Sequence, residues 1–238
     1  MTNALKIIAL VLSYPSAELQ EAAAELVAAL NADTMTTGPE KRQLTRLIDD
    51  IAQCDLYEAQ ERYVHLFDRS RTLSLHLFEH VHGESRDRGQ AMVDLVAMYE
   101  QNGLAIDAKE LPDYLPLFLE FLSILPEPAA RELLGETVHI LSAIGERLKK
   151  RESVYADAFS VLGALAQGQA NPEIVRQILE QPDIDPDDLQ ALDKIWEEEA
   201  VTFGAGAGSD ACGPDRLRTQ MRAAKRPPAA PLSDVPTV

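Results

Sequence analysis

The sequence predicts an all-α protein: a single compact multi-helix domain of about ten to eleven helices, followed by a disordered C-terminal tail. Three observations carry that reading. Helix start and stop signals recur along the chain, the strict period-two alternation of an isolated strand is almost absent, and the composition changes after Phe203. At 238 residues the chain is long enough to bury a sizeable core in one domain, placed at 1–203 with the tail at 204–238.

The elements follow in order. Residues 5–12, LKIIALVL, have only Lys6 close by and are followed by the acid-rich ELQEAAAEL without a clear cleavage site, so they read as a packed first helix (4–12) rather than a secretory segment. No run approaches the roughly 18 apolar residues of a membrane span, so membrane contact is expected only through a partner. A second helix follows at 17–31. Thr37 with Glu40 makes a capping box around Pro39 for a helix at 39–53, and Asp55 with Glu58 starts the next at 56–68. Leu73, Leu77 and Val81 recur at a spacing of four and predict a helix at 73–82, ended by His82 and Gly83. Ser85 then caps a helix at 86–102 whose first turn holds Asp87.

The helix at 113–125 is apolar around most of its circumference, with Leu115, Leu117, Phe118, Leu119, Phe121, Leu122, Ile124 and Leu125, and is expected to be central. Asp113 caps or begins it, and Glu120 needs water or a partner. Helices at 128–150, 153–167, 172–180 and 186–201 complete the domain, the last two announced by Asn171-Pro172 and Asp185-Pro186. The DIDPDD run at 183–188 is better explained by capping than by calcium, because Asp188 and Lys194 stand where a calcium loop needs glycine and a bidentate glutamate.

Charge and cysteine content narrow the function. A net charge of −17 argues against nucleic acid, which needs clustered lysine and arginine, and favours a basic peptide as partner. The tail nets +2, so residues 1–203 carry −19. Either the tail lies on its own body and masks an acidic groove, or it is an inert solvated terminus. Cys54 and Cys212 are too few and too scattered for a disulfide framework, which suits a reducing cytoplasm.

Three of the five histidines fall in LHLFEHVHGESRDRGQAM, residues 75–92. His76, Glu79 and His80 spell H-x-x-E-H, the inverted zinc-protease pattern, in which both imidazoles share a helical face. A catalytic zinc also needs a third protein ligand, and no downstream residue is marked as one. The other reading is a polar helix-to-helix corner where histidines and acids satisfy one another.

The stretch LFEHVHGESRDRGQAMVDL closely resembles the nitrate reductase assembly chaperones, the NarJ-type or delta-subunit family of redox-enzyme maturation proteins. Two more blocks resemble that family: KELPDYLPLFLEFLSILP at 109–126 and YVHLFDRSR at 63–71. A looser likeness runs from LSYPS at 12–16 to WEEEAVTF at 196–203. The family commonly carries histidine after Pro-Asp, whereas this chain has Tyr114, so no titratable role is expected there.

The resemblance implies a system-specific chaperone, not an enzyme, without a cofactor of its own. It would bind the N-terminal segment of the unassembled catalytic (alpha) subunit of nitrate reductase, with the beta subunit as a second candidate partner. Molybdenum cofactor and iron–sulfur clusters would be inserted there before membrane assembly, and the chaperone would not remain in the finished enzyme. Physically, an amphipathic client helix would lay apolar anchors in a groove while its basic groups meet acids at the rim. The candidate surface takes Tyr63, Phe67, Phe78 and Phe121 as apolar wall, and Glu79, Glu84, Asp87, Asp113 and Glu120 as acidic contacts. Arg86 and Arg88 would orient the client, with His80, His82 and Tyr114 beside them. Core packing is the other role open to the aromatics, and pairing with Glu84 or Asp87 the other role open to the arginines. The alternatives to the chaperone are a zinc-dependent hydrolase built on His76, Glu79 and His80 and a general helical peptide-binding adaptor. Oligomeric state is open.

Overall fold

The computed structural model describes residues 3–82, 86–106 and 110–180. Among these residues the chain is all-α, with twelve α-helices and no strand beyond one isolated bridge. The predicted helix at 186–201 and the tail lie outside the described residues.

Apolar periodicity builds the scaffold. Helix α1 (Asn3–Val11) buries Ala4, Leu5, Ile7, Ile8 and Val11 and packs along α8 (Leu115–Ile124), which buries Leu115, Phe118, Leu119, Phe121 and Leu122. The central position expected of the apolar helix is thus observed. Helix α4 (Gly38–Gln53) carries Leu44, Leu47, Ile48 and Ile51 on one face and packs on α3 (Ala23–Ala32) and α11 (Ala156–Leu165). Its capping box forms as the sequence indicates, the Glu40 carboxylate accepting from the Thr37 amide at 2.5 Å. Asp55 caps α5 (Leu56–Tyr63), and Asn171 caps α12 (Pro172–Leu179).

Three predicted helices are subdivided. The segment expected at 17–31 breaks at Ala22 into α2 (Ala17–Glu21) and α3, the Ala22 amide donating to the carbonyls of both Glu18 and Gln20. Gln20 there donates to the Ile51 and Cys54 carbonyls, tying α2 to the end of α4. The helix expected at 56–68 is α5 continued by a π-helical turn, Val64–Asp68, and a short 3-10 turn, Arg71–Leu73, follows. The long helix expected at 128–150 divides at Thr137 into α9 (Glu127–Glu136) and α10 (Val138–Lys150), the Thr137 hydroxyl donating to the Leu134 carbonyl at 2.8 Å. Gly135 allows the crossing chain to approach there, because a Cβ at that position would lie 2.2 Å from the Gln167 carbonyl oxygen.

One expectation is overturned. Residues 74–78 are not helical; only Glu79–His82 forms a turn of helix, α6, before α7 (Arg86–Gln101). The spacing of Leu73, Leu77 and Val81 suggested a helical stripe. Leu73, Leu75, Leu77 and Phe78 are instead all buried, because an irregular segment crosses the core and covers apolar residues at several spacings.

Candidate functional site

The segment at 74–78 pairs with the start of α8. The Leu77 amide donates to the Asp113 carbonyl at 3.0 Å, the Leu115 amide donates to the Leu75 carbonyl at 2.8 Å, and His76 and Tyr114 form an antiparallel bridge. Asp113 is fully buried and locks the seam: its carboxylate accepts from the Phe78 amide at 3.0 Å and from His76 Nδ1 at 3.3 Å. It therefore does not cap α8, whose first helical residue follows Tyr114. A buried carboxylate would be costly without partners, and this one is held by a backbone N–H and an imidazole.

The two imidazoles four residues apart have opposite settings. The hydrogen bond to Asp113 raises the pKa of His76, helped by the nearby Asp113, Glu79 and Glu110 charges against the opposing effect of burial. Burial lowers that of His80, whose Nε2–H donates to the Ser74 carbonyl at 2.8 Å, with the Arg147 cation adding to the depression. His76 and His80 do not share a helical face, so the zinc geometry suggested by H-x-x-E-H is not formed. The ring nitrogen each engages is committed to Asp113 and to the backbone. Among the described residues no cluster of three or more histidine, cysteine, aspartate or glutamate side chains could hold a metal ion.

Around this seam lies a surface of mixed character. Tyr114, half-buried, shares a hydrogen bond of 2.9 Å with the Tyr63 hydroxyl and faces the His76 ring at 5.5 Å between centroids. Burial, reinforced by neighbouring carboxylates, holds the Tyr114 phenol above its usual pKa, so it stays protonated near neutral pH as expected for a tyrosine in place of histidine. Tyr14, 51% exposed, stands edge-on to Tyr63 at 5.6 Å, and Leu111 is 48% exposed. Asp68 and Glu110 are exposed beside them. Partial burial and, after it, the Glu110 charge push the Asp68 carboxyl up, against the opposing effect of His76. Glu79 is half-buried and pairs with Arg88 at 3.3 Å.

A model of the nitrate reductase delta subunit family matches residues 14–161, a span that contains both halves of the seam. The chain belongs to that family. It is 43% identical to the nitrate reductase molybdenum cofactor assembly chaperone NarJ of Escherichia coli K12 over 218 residues, covering 92% of this chain and 91% of that one. It is 30% identical to the nitrate reductase-like protein NarX of Mycobacterium tuberculosis H37Rv over 145 residues, covering 61% of this chain but 21% of that longer protein. A crystal structure from Archaeoglobus fulgidus, named as a candidate redox enzyme maturation protein, shares the fold with a TM-score of 0.51. That likeness comes at 22% identity and covers 68% of this chain and 91% of that one.

Within this family member the sequence-selected residues divide by burial. Tyr63, Phe67, Phe78, Phe121, His80 and Asp113 are all inside, so they shape the surface rather than present it. The Tyr63 ring lies tilted against Phe67 at 5.0 Å between centroids, Phe67 meets Tyr155 edge-on at 5.1 Å, and Phe121 lies tilted against Tyr99 at 4.7 Å. The core role left open for these aromatics is the one the fold uses. Glu79, Asp87, Arg88, Tyr114 and Glu120 reach the surface wholly or in part. Glu84 and Ser85, with the side chains of His82 and Arg86, lie outside the described residues. Sequence reasoning missed Tyr14, Asp68, Glu110 and Leu111 as surface candidates. The signal available for the last two was the alternation of acid and apolar residues in KELPDY, whose Tyr99-anchored Pro112 carbonyl (2.8 Å) holds Leu111 at the rim.

Proposed function

We propose that this chain is a dedicated assembly chaperone that binds the N-terminal segment of an unassembled nitrate reductase catalytic subunit and keeps it open for molybdenum cofactor and iron–sulfur insertion. The observation that carries the reading is the joining of the two family blocks, 75–92 and 109–126, into one seam through Asp113 and the 74–78 segment. The work takes place in the cytoplasm, before the enzyme reaches its membrane; no helix among the described residues is long and apolar enough to cross one. Recognition requires no covalent step. An amphipathic client helix sets apolar side chains against Tyr14, Tyr114 and Leu111, and its basic groups meet Asp68, Glu79 and Glu110, with Glu120 and Asp87 as outlying acids. Asp113 and His76 act behind that face by fixing the backbone that presents it.

Calorimetric titration of the full, metal-free chain with a peptide from the N-terminus of the catalytic subunit tests this, with a scrambled peptide as control. Saturable binding of the native peptide alone, weakened by Glu79→Gln and Glu110→Gln and by added salt, is the expected result. Equal binding of both peptides, or none of either, overturns the proposed site.

A further inference from the structure

The basic residues of the C-terminal region are not scattered. All five after Phe203, namely Arg216, Arg218, Arg222, Lys225 and Arg226, fall within RLRTQMRAAKR at 216–226, which contains no acid. That run carries +5 in a chain whose net charge is −17. Leu217 and Met221 are interleaved with the cations, so the segment has the chemistry required of a ligand for an acidic surface with exposed apolar residues.

The last described helix ends close to the chain that leads into the seam segment. Arg147, buried in α10, donates through one guanidinium nitrogen to the Thr72 carbonyl at 3.0 Å and through another to the Ile178 carbonyl at 2.9 Å. The end of α12 is thereby held beside Thr72, two residues before Ser74, where the seam segment begins. Thirty-five residues separate Glu180 from Arg216, enough for a reach of up to about 120 Å. A compact body of this size has a radius of gyration of about 16 Å, so the tether does not limit access. An attached segment meets its site at an effective concentration in the millimolar range, so even a weak contact is populated.

We infer that residues 216–226 dock in cis on the aromatic and acidic seam face formed by Tyr14, Tyr114 and Leu111 with Asp68, Glu79 and Glu110. The inference shares its surface with the proposed function but requires no client. The tail occupies the face until a better-matched segment displaces it, which keeps the apolar residues covered while the chaperone is empty.

The test uses the full chain with Cys54→Ser and a nitroxide label on the natural Cys212, four residues before Arg216. Amide signals at 76–80 and 110–114 are expected to lose intensity through paramagnetic broadening. The loss should vanish at high salt and when all five basic residues are replaced by glutamine. Absence of broadening, or broadening centred on α4 around Lys41, Arg46 and Asp50 rather than on the seam, overturns the inference. So does broadening seen only when labelled chains are mixed with isotopically marked, unlabelled ones, which would mean docking between copies. Addition of the client peptide separates the two proposals. Broadening present without client but insensitive to it upholds the tail contact and removes the client from this face; client shifts at the seam without tail broadening do the reverse.

Discussion

Two buried aspartates hold loops in this molecule, and they do different work. Asp33, between α3 and α4, is satisfied by its own neighbourhood: it accepts from the amides of Met35 and Thr36 at 2.9 and 3.0 Å, from the Thr36 hydroxyl at 2.9 Å and from the Ala4 amide at 3.1 Å. Asp113 has one amide and one titratable partner, His76, and exposed acids and aromatics lie just outside. Burial of a carboxylate therefore does not mark a functional site. What distinguishes the second is the company of an ionisable partner and a surface that the loop presents.

The largest effect should come from Asp33→Ala, which strands several buried N–H groups and is expected to cost about 3 kcal/mol of stability. Client affinity per folded molecule should be unchanged; chemical denaturation and calorimetry check the two halves. Asp113→Ala removes fewer hydrogen bonds and should cost about 2 kcal/mol. It should also weaken client binding and speed amide exchange at Leu77 and Phe78. If both variants lose stability alone, the contrast between the two aspartates fails.

A third variant, His76→Gln, isolates the titratable partner. The folded pKa of His76 is raised, so its stabilisation is fully present below about pH 6.5 and is lost as pH rises through the folded value. His80 has the opposite sign: its depressed pKa means the neutral ring contributes above about pH 6.5, and this is lost as pH falls through the folded value. The melting temperature advantage of the wild type over His76→Gln should thus be greatest on the acid side of neutrality and shrink toward pH 8. An advantage that grows with pH would contradict the assignment. The smallest effect is expected from Tyr114→Phe, which removes the shared hydrogen bond with Tyr63 and should cost about 1 kcal/mol. Its binding defect should be slight, since the ring remains.

Much of the fold was legible because the interactions that make it are local. Thr37 with Glu40, Asp55, and Asn171 before Pro172 mark helix starts within a few residues, and the apolar run from Leu115 needed a buried site whatever its neighbours. The seam was not legible for the opposite reason. His76 and Asp113 are 37 residues apart in sequence, and nothing near Leu73, Leu77 and Val81 distinguishes a helical stripe from an irregular segment crossing the core. Asp113 after Pro112 likewise looks like an ordinary helix start; only the tertiary structure turns its carboxylate inward. The expectation of a basic partner could be read from the net charge of −17, but charge does not locate a face. Tyr14 and Leu111 became candidates only once their exposure beside Tyr114 was visible.

Hydrogen–deuterium exchange of the full chain with and without the client peptide tests the seam most directly. The account predicts added protection concentrated at 74–82 and 110–115, and its loss in Asp113→Ala but not in Asp33→Ala. Protection spread over α4 and α11, with the seam unchanged, would contradict it.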